Sequence, residues 1–166
     1  MILETERMTL RSMRMDDVDN LLQIFSDPIA MTYYPSTKDR AETIKWIEWT
    51  RKNYASYGIG LWVAELKEDG AFVGQCGLVL QEVDGKQEVE IGYSFVRKYW
   101  GLGLATECAI ACRDYGFGKM GYERLVSLIS INNIPSVKVA ERVGMTLEKE
   151  IIKWNKPVKV YAITKD

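Results

Sequence analysis

Glu88-Val89-Glu90-Ile91-Gly92-Tyr93-Ser94-Phe95-Val96 runs directly into Arg97-Lys98-Tyr99-Trp100-Gly101-Leu102-Gly103-Leu104-Ala105-Thr106-Glu107. The first nine residues place Val89, Ile91, Tyr93 and Phe95 on alternate positions, the period of a strand. From Gly101 to Tyr115 the spacing becomes helical, with Leu104, Cys108, Ala111 or Cys112, and Tyr115 on one stripe, and Gly116, Gly118 and Gly121 mark its end. A strand therefore feeds a glycine-containing turn that opens a helix. The first N–H groups of such a helix lack intrahelical acceptors and point where the positive end of the helix dipole lies. That arrangement suits an anion such as a diphosphate, and Gly101 and Gly103, without Cβ atoms, let its oxygens come close. Gly-x-Gly is a weak signal by itself, equally consistent with a helix start that packs tightly.

Two nucleotide-binding readings of this turn fail on detail. A dinucleotide fingerprint needs Gly or Ala three residues after the second glycine and an acid at the end of the next strand. Position 106 is Thr, and Leu125-Val126-Ser127-Leu128-Ile129-Ser130-Ile131 ends without Asp or Glu. No Gly-Lys-Ser or Gly-Lys-Thr follows, which excludes a Walker loop.

Outward from the turn, Ile59 to Val96 carries three period-two segments separated by Lys67-Glu68-Asp69-Gly70 and Val83-Asp84-Gly85-Lys86, an antiparallel meander. Upstream, Met8 to Met13 reads as a strand. Asp16-Asp17 then open a helix carrying Val18, Leu21, Leu22 and Phe25, and Ile44, Ile47, Arg51 and Tyr54 mark a second one. Downstream, Leu125 to Ile131 is a buried strand, Pro135 to Val143 a helix ending at Gly144, and Thr146 to Ile163 a hairpin around Asn155-Lys156-Pro157. The expected order is β-α-α-β-β-β-α-β-α-β-β.

The chain has 166 residues, the size of one domain able to bury roughly 70% of its unfolded surface, and nothing in it marks a linker or repeat. We read residues 1–166 as a single domain. Lys and Arg (22) nearly balance Asp and Glu (23), so no global field favours nucleic acid or an anionic membrane. With no histidine, Ser-His and Cys-His hydrolase chemistry and His-containing zinc sites are excluded. Three cysteines give no disulfide framework, and Cys108 and Cys112 read as buried small hydrophobes. Met1-Ile2-Leu3-Glu4-Thr5-Glu6-Arg7 has acids where a secretory signal needs a basic region, and no run approaches the ~18 apolar residues of a membrane span. A cytoplasmic location is expected.

Lys98-x-x-Gly101-x-Gly103, preceded by Glu90-Ile91-Gly92-Tyr93 and followed by Ala105-Thr106-Glu107, resembles the acetyl-CoA motif of the GNAT N-acetyltransferases. Lys98 stands where Gln or Arg is usual. Asn133-Ile134-Pro135-Ser136, continuing through Val137, Val139 and Ala140 to Glu141-Arg142-Val143-Gly144-Met145, is similar to the family's Asn-x-x-Ser helix, with Met145 for the usual Phe. Glu4-Thr5-Glu6-Arg7-Met8-Thr9-Leu10-Arg11 and Val160-Tyr161-Ala162-Ile163 match the branch of the ribosomal-protein N-terminal acetyltransferases. The resemblance spans nearly the whole chain.

It implies an α/β (α+β) GNAT fold: a mixed, twisted sheet of six to seven strands, splayed between its fourth and fifth strands and flanked by four helices. It also implies acetyl-CoA as cosubstrate, an amine acceptor, no metal, no nucleic-acid or membrane partner, and a monomer or homodimer. Backbone groups of Phe95 and Val96, unpaired at the splay, would bond the pantetheine arm. Lys98, Trp100, Gly101, Leu102, Gly103, Leu104, Ala105 and Thr106 would hold the diphosphate, with Asn133 and Ser136 across the gap.

Acyl transfer to an amine needs a neutral nucleophile, a polarised carbonyl and a leaving thiolate. Glu90 is the candidate base, on the strand face opposite Val89, Ile91, Tyr93 and Phe95; the competing reading makes Glu88 and Glu90 an ordinary solvated face. Ser136 is a candidate hydrogen-bond donor to the departing sulfur, or else a helix N-terminal serine serving backbone groups. Trp46, Trp49, Tyr54 and Tyr57 read as packing for the second helix in preference to an acceptor wall. Tyr33 and Tyr34, on a loop, are better placed to touch an acceptor. Two rivals to an acetyltransferase are a non-catalytic acyl-CoA-binding or sensing module of the same fold and a nucleotide-dependent oxidoreductase.

Overall fold

The computed structural model describes residues 1–166, with strands β1 (Leu3–Glu4), β2 (Met8–Ser12), β3 (Leu61–Leu66), β4 (Phe72–Val83), β5 (Lys86–Phe95), β6 (Arg124–Ser130), β7 (Thr146–Lys153) and β8 (Lys156–Thr164). The helices are α1 (Val18–Phe25), α2 (Arg40–Tyr57), α3 (Leu104–Gly118) and α4 (Ile134–Val143). All eight strands form one sheet in the order β1-β2-β3-β4-β5-β6-β8-β7. Every neighbouring pair is antiparallel except β5 and β6, which run parallel. The expected fold class holds. The two-residue β1 was not foreseen; it raises the strand count to eight and makes the splay lie between the fifth and sixth strands.

Both faces of the sheet are covered, so its central strands are apolar on both sides, as Phe72 to Val79 shows by being buried throughout. On one face Trp62, Cys76, Leu78, Ile91 and Phe95 pack against Cys108 and Cys112 of α3 and Ala140 and Val143 of α4. On the other, Leu61, Val63, Val79 and Val96 pack against Leu21, Ile24 and Phe25 of α1 and Ile47 of α2. Cys76, Cys108 and Cys112 are all free and buried, as read from the sequence for Cys108 and Cys112.

Local chemistry sets the boundaries. Helix α2 starts four residues earlier than its apolar spacing suggested, because Asp39 accepts from the Glu42 N–H (2.8 Å) while Glu42 accepts from the Asp39 N–H (3.1 Å). That reciprocal cap satisfies two otherwise orphaned donors. Helix α3 begins at Leu104, three residues after the expected start, since Gly101 and Gly103 both have φ +79° and cannot continue an α-helix. Gly116 lies inside α3 and does not end it: a Cβ there would sit 3.2 Å from Leu125, so the glycine permits close packing on β6. The last hairpin turns at Trp154-Asn155, both left-handed (φ +54° and +59°), and places Lys156 and Pro157 in β8. Asn-Lys-Pro had suggested a turn centred later. No helix is long and apolar enough to cross a membrane.

Candidate active site

The sheet opens where β5 meets β6. Only Glu90 and Val126 pair in the ladder. Beneath and around that pair, side chains hold the strands together: Arg124 makes a bidentate ion pair with Glu88 (2.9 Å), the Ser127 hydroxyl donates to the Ile91 carbonyl (2.9 Å), and the Leu128 N–H donates to the Glu90 carboxylate (2.8 Å). Further along, the strands are joined only indirectly, through the Tyr93 hydroxyl donating to the Ser136 carbonyl on α4 (3.1 Å). The result is a cleft closed at its base and open toward Phe95 and Ser130.

At the mouth of the cleft lies the Trp100–Gly103 turn. None of the N–H groups of residues 101–106 donates to a protein acceptor; the first amide of this stretch with a partner is that of Glu107, bonded to the Gly103 carbonyl (3.0 Å). Six consecutive donors therefore stand free at the positive end of a 15-residue helix. The turn is fastened from behind by Arg7, whose guanidinium donates to the Leu102 carbonyl (2.9 Å) and pairs with Glu107 (2.8 Å). Glu107 also accepts from the Thr5 hydroxyl (2.5 Å) and the Arg7 N–H (3.0 Å); despite opposing desolvation, these partners hold its carboxyl below the usual range. A Cβ at Gly101 would meet nothing within 4 Å and one at Gly103 only the Arg7 guanidinium at 3.6 Å, so it is the left-handed backbone, not crowding, that calls for glycine.

The expectation that both Phe95 and Val96 leave backbone groups unpaired needs correction. The Val96 N–H donates to the Val73 carbonyl (2.8 Å), and the Phe95 carbonyl accepts from the Trp100 indole N–H (2.9 Å). Alternate residues of a strand direct their backbone groups to the same side. Ile91 faces β6, so the N–H groups of Tyr93 and Phe95 are the ones turned to the cleft. Lys98 is exposed, with its ammonium 5.1 Å from the Tyr99 ring centroid. Asn133 caps α4 by accepting from the Ser136 N–H (3.3 Å), which takes over the backbone-serving role considered for Ser136 and leaves the serine hydroxyl without a protein partner.

Glu90 lies at the base of the cleft, on the α1/α2 face and opposite Ile91 and Phe95, and it is only 8% exposed. The solvated-face reading is therefore set aside for Glu90, and Glu88 is engaged by Arg124. Desolvation pushes the Glu90 pKa up to about 7, moderated by hydrogen bonds from the Leu128 N–H and the Gln81 amide (3.0 Å) and by the field of Lys153. A carboxylate tuned there can exchange a proton near neutral pH. Tyr34 reaches the same place: its side chain is partly exposed, but its hydroxyl end, beside Ser94 and in the field of Glu90, has a pKa raised to about 12, chiefly by desolvation. Ser94 accepts from the buried Gln75 amide (3.0 Å), whose oxygen accepts from the Trp46 indole (3.0 Å).

Trp46 and Tyr54 are packing residues, as read: Trp46 stacks edge-on against Phe25 (5.3 Å), and the Tyr54 hydroxyl serves Met13 and Leu61. Tyr33 and Tyr34 border a concavity of about 260 Å³ with Asn132, Trp154, Lys156 and Pro157. Another, of about 420 Å³, is open and bordered by Asp27, Val96, Arg97 and Lys98, just before the turn. Gln75, Ser94, Arg7 and Lys156 were not among the site residues read from the sequence; Ser94, Arg7 and Lys156 lie in stretches quoted above, but their roles rest on contacts with distant segments.

A model of the acetyltransferase (GNAT) domain matches residues 7–146. Among curated relatives, the uncharacterized protein YkkB of Bacillus subtilis (strain 168) is 45% identical over 160 residues, covering 96% of this chain and 93% of that one. Among solved structures, the acetyltransferase from Agrobacterium tumefaciens str. C58 is 29% identical with a TM-score of 0.86, covering 98% of this chain and 94% of the other. The ribosomal L7/L12 alpha-N-protein acetyltransferase RimL in complex with coenzyme A has a TM-score of 0.82 at 19% identity, covering 98% and 97%, a likeness of fold.

Proposed function

The chain belongs to the GNAT acetyltransferase family, and from that premise we propose that it moves the acetyl group of acetyl-CoA to a primary amine by direct attack in a ternary complex. The observation that carries this reading is the run of unpartnered amides over residues 101–106, set at the mouth of a cleft whose base holds a buried carboxylate. The free donors and the dipole of α3 fit a diphosphate. The N–H of Phe95 is turned to the gap and fits either an amide of the pantetheine arm or the thioester oxygen. Val96, Lys98 and Trp100 flank that path, with Asn133 and Ser136 on its other wall. RimL is described as binding coenzyme A, and the same fold makes that ligand the natural one here.

In the reaction the amine nitrogen attacks the thioester carbonyl carbon, the C–S bond breaks, and the amine proton passes to Glu90, directly or through a water. Glu90 is suited to this because burial keeps its basicity near neutral pH, at which an amine proton can be accepted. Backbone N–H groups facing the gap stabilise the negative charge on the carbonyl oxygen. The Ser136 hydroxyl, without a protein partner, donates a hydrogen bond to the departing sulfur. No covalent acyl-enzyme is required.

The alternative, a non-catalytic acyl-CoA-binding module, draws on one observation: the Glu90 carboxylate braces the splay through Leu128 and Gln81. Free-thiol release from acetyl-CoA across a broad panel of primary amines separates the two, with coenzyme A binding measured alongside. Amine-dependent thiol release is expected. Tight coenzyme A binding with no thiol from any amine would leave the binding module as the function.

A further inference from the structure

The concavity of about 260 Å³ is bordered by ten residues, none of them Asp or Glu. It is smaller than the roughly 300–1,000 Å³ typical of drug-sized ligand sites, which suits a small acceptor. Its walls come from three separate segments: Tyr33, Tyr34 and Pro35 before α2, Ser130 and Asn132 at the end of β6, and Trp154 and Lys156 at the last hairpin. Two hydrogen bonds fasten them, from the Tyr33 hydroxyl to the Asn132 carbonyl (3.0 Å) and from the Lys156 ammonium to the Tyr33 carbonyl.

The hairpin breaks two local rules. Lys153 and Lys156 stand directly opposite each other across β7 and β8, where like charges repel. Neither has a carboxylate partner: Lys153 donates to the Glu82 main-chain carbonyl and Lys156 to that of Tyr33, and both ammonium groups lie within 6.0 Å of the Trp154 ring centroid. Trp154 itself holds φ +54°, an outlier for a bulky residue, while half exposed. Two ammonium groups without a paired carboxylate, beside a pocket wall free of acids, point to an anionic group on the ligand, and the left-handed turn holds the Trp154 ring beside them. Partial burial lowers the Lys156 pKa, and no acidic neighbour offsets it.

Resting on the acetyltransferase reading, we propose that this pocket takes a small primary amine that also carries a carboxylate. Lys156 reads the anionic end, Trp154 and Tyr33 flank the body, and the amine is directed past Tyr34 toward Glu90. A polyamine meets the opposite field: two lysines at the hairpin and no carboxylate in the pocket wall.

The test compares L-phenylalanine, L-leucine and L-methionine, each with the amine that lacks its carboxylate, together with spermidine, by kcat/KM for thiol release. Wild type is expected to favour at least one amino acid over its decarboxylated partner about tenfold or more, the weight of one charge-assisted hydrogen bond. Lys156→Gln should bring that ratio close to one, and Lys156→Arg should keep most of it. A lysine that only fastened the Tyr33 loop would lower both members of a pair and leave the ratio unchanged, which would overturn the assignment, as would a preference for spermidine. Coenzyme A affinity, measured on the same variants, should not move. If no amine releases thiol, the acetyltransferase reading fails separately. The pocket is then judged by tryptophan-fluorescence titration, where Lys156-dependent binding of an amino acid over its amine sustains the proposal and its absence overturns it.

Discussion

A carboxylate at the foot of an opening sheet is costly to ionise, and Glu90 shows by how much: its pKa rises from 4.5 to about 7. Between these values the folded chain holds a proton that the unfolded chain has released, so the Glu90 contribution to stability declines as pH rises across that window. In the proposed reaction activity has the opposite dependence, since Glu90 is competent as the base only when ionised. Thiol release is expected to climb with pH through about 7 and then level off. Glu90→Gln should lower kcat by about 10²- to 10⁴-fold and flatten that limb, without loss of coenzyme A affinity, in a pH–rate profile. Gly103 makes a second test. At φ +79° any side chain costs about 1–2 kcal/mol of backbone strain, and a valine there also presses on the Arg7 guanidinium that fastens the turn, which distorts the row of free amides. Gly103→Val is expected to stay folded by circular dichroism and to weaken coenzyme A more than tenfold by calorimetry.

Among the elements, the strand-turn-helix of β5 and α3 was the most legible. Its period shifts from two to 3.6 across two glycines, and both signals are local. What escaped sequence reading depends on contacts between distant segments. Trp100 capping the Phe95 carbonyl, Val73 taking the Val96 N–H, and Arg7 fastening the turn through Leu102 and Glu107 leave no periodicity to detect. The cap of α2 is different. Asp39-Arg40-Ala41-Glu42 has the spacing of a capping box, a signal local to the sequence, whereas the apolar stripe of the helix starts only at Ile44. Asp39→Ala is expected to cost about 1 kcal/mol, seen as a fall of roughly 2–4 °C in Tm. Arg7→Met should weaken coenzyme A while sparing the pH–rate profile, because it loosens the turn and leaves Glu90 untouched.

For the molecule as a whole, the sheet is covered on both faces, and the α1/α2 layer is joined to it by a nearly buried ion pair. Asp17, 1% exposed, receives both guanidinium arms of Arg11 (2.9 and 2.7 Å), the Arg14 N–H (2.7 Å) and the Asn20 amide (3.0 Å). Desolvation opposes its ionisation, but these partners prevail and hold its carboxyl below the ordinary range. Its stabilising contribution is thus complete above about pH 4 and is lost as pH falls through the folded value. Asp17→Ala leaves Arg11 paired with Glu65 alone and the Arg14 N–H without its acceptor, and should cost about 1–3 kcal/mol in urea denaturation at pH 7 and less under acid conditions. The same architecture keeps β5 and β6 joined at one end and parted at the other, and the proposed function requires coenzyme A to enter that gap. A crystal structure with coenzyme A tests it most directly: diphosphate oxygens should accept hydrogen bonds from the amides of residues 101–106, with the pantetheine arm lying between β5 and β6. Coenzyme A lodged elsewhere, or those amides turned to protein acceptors, would contradict it.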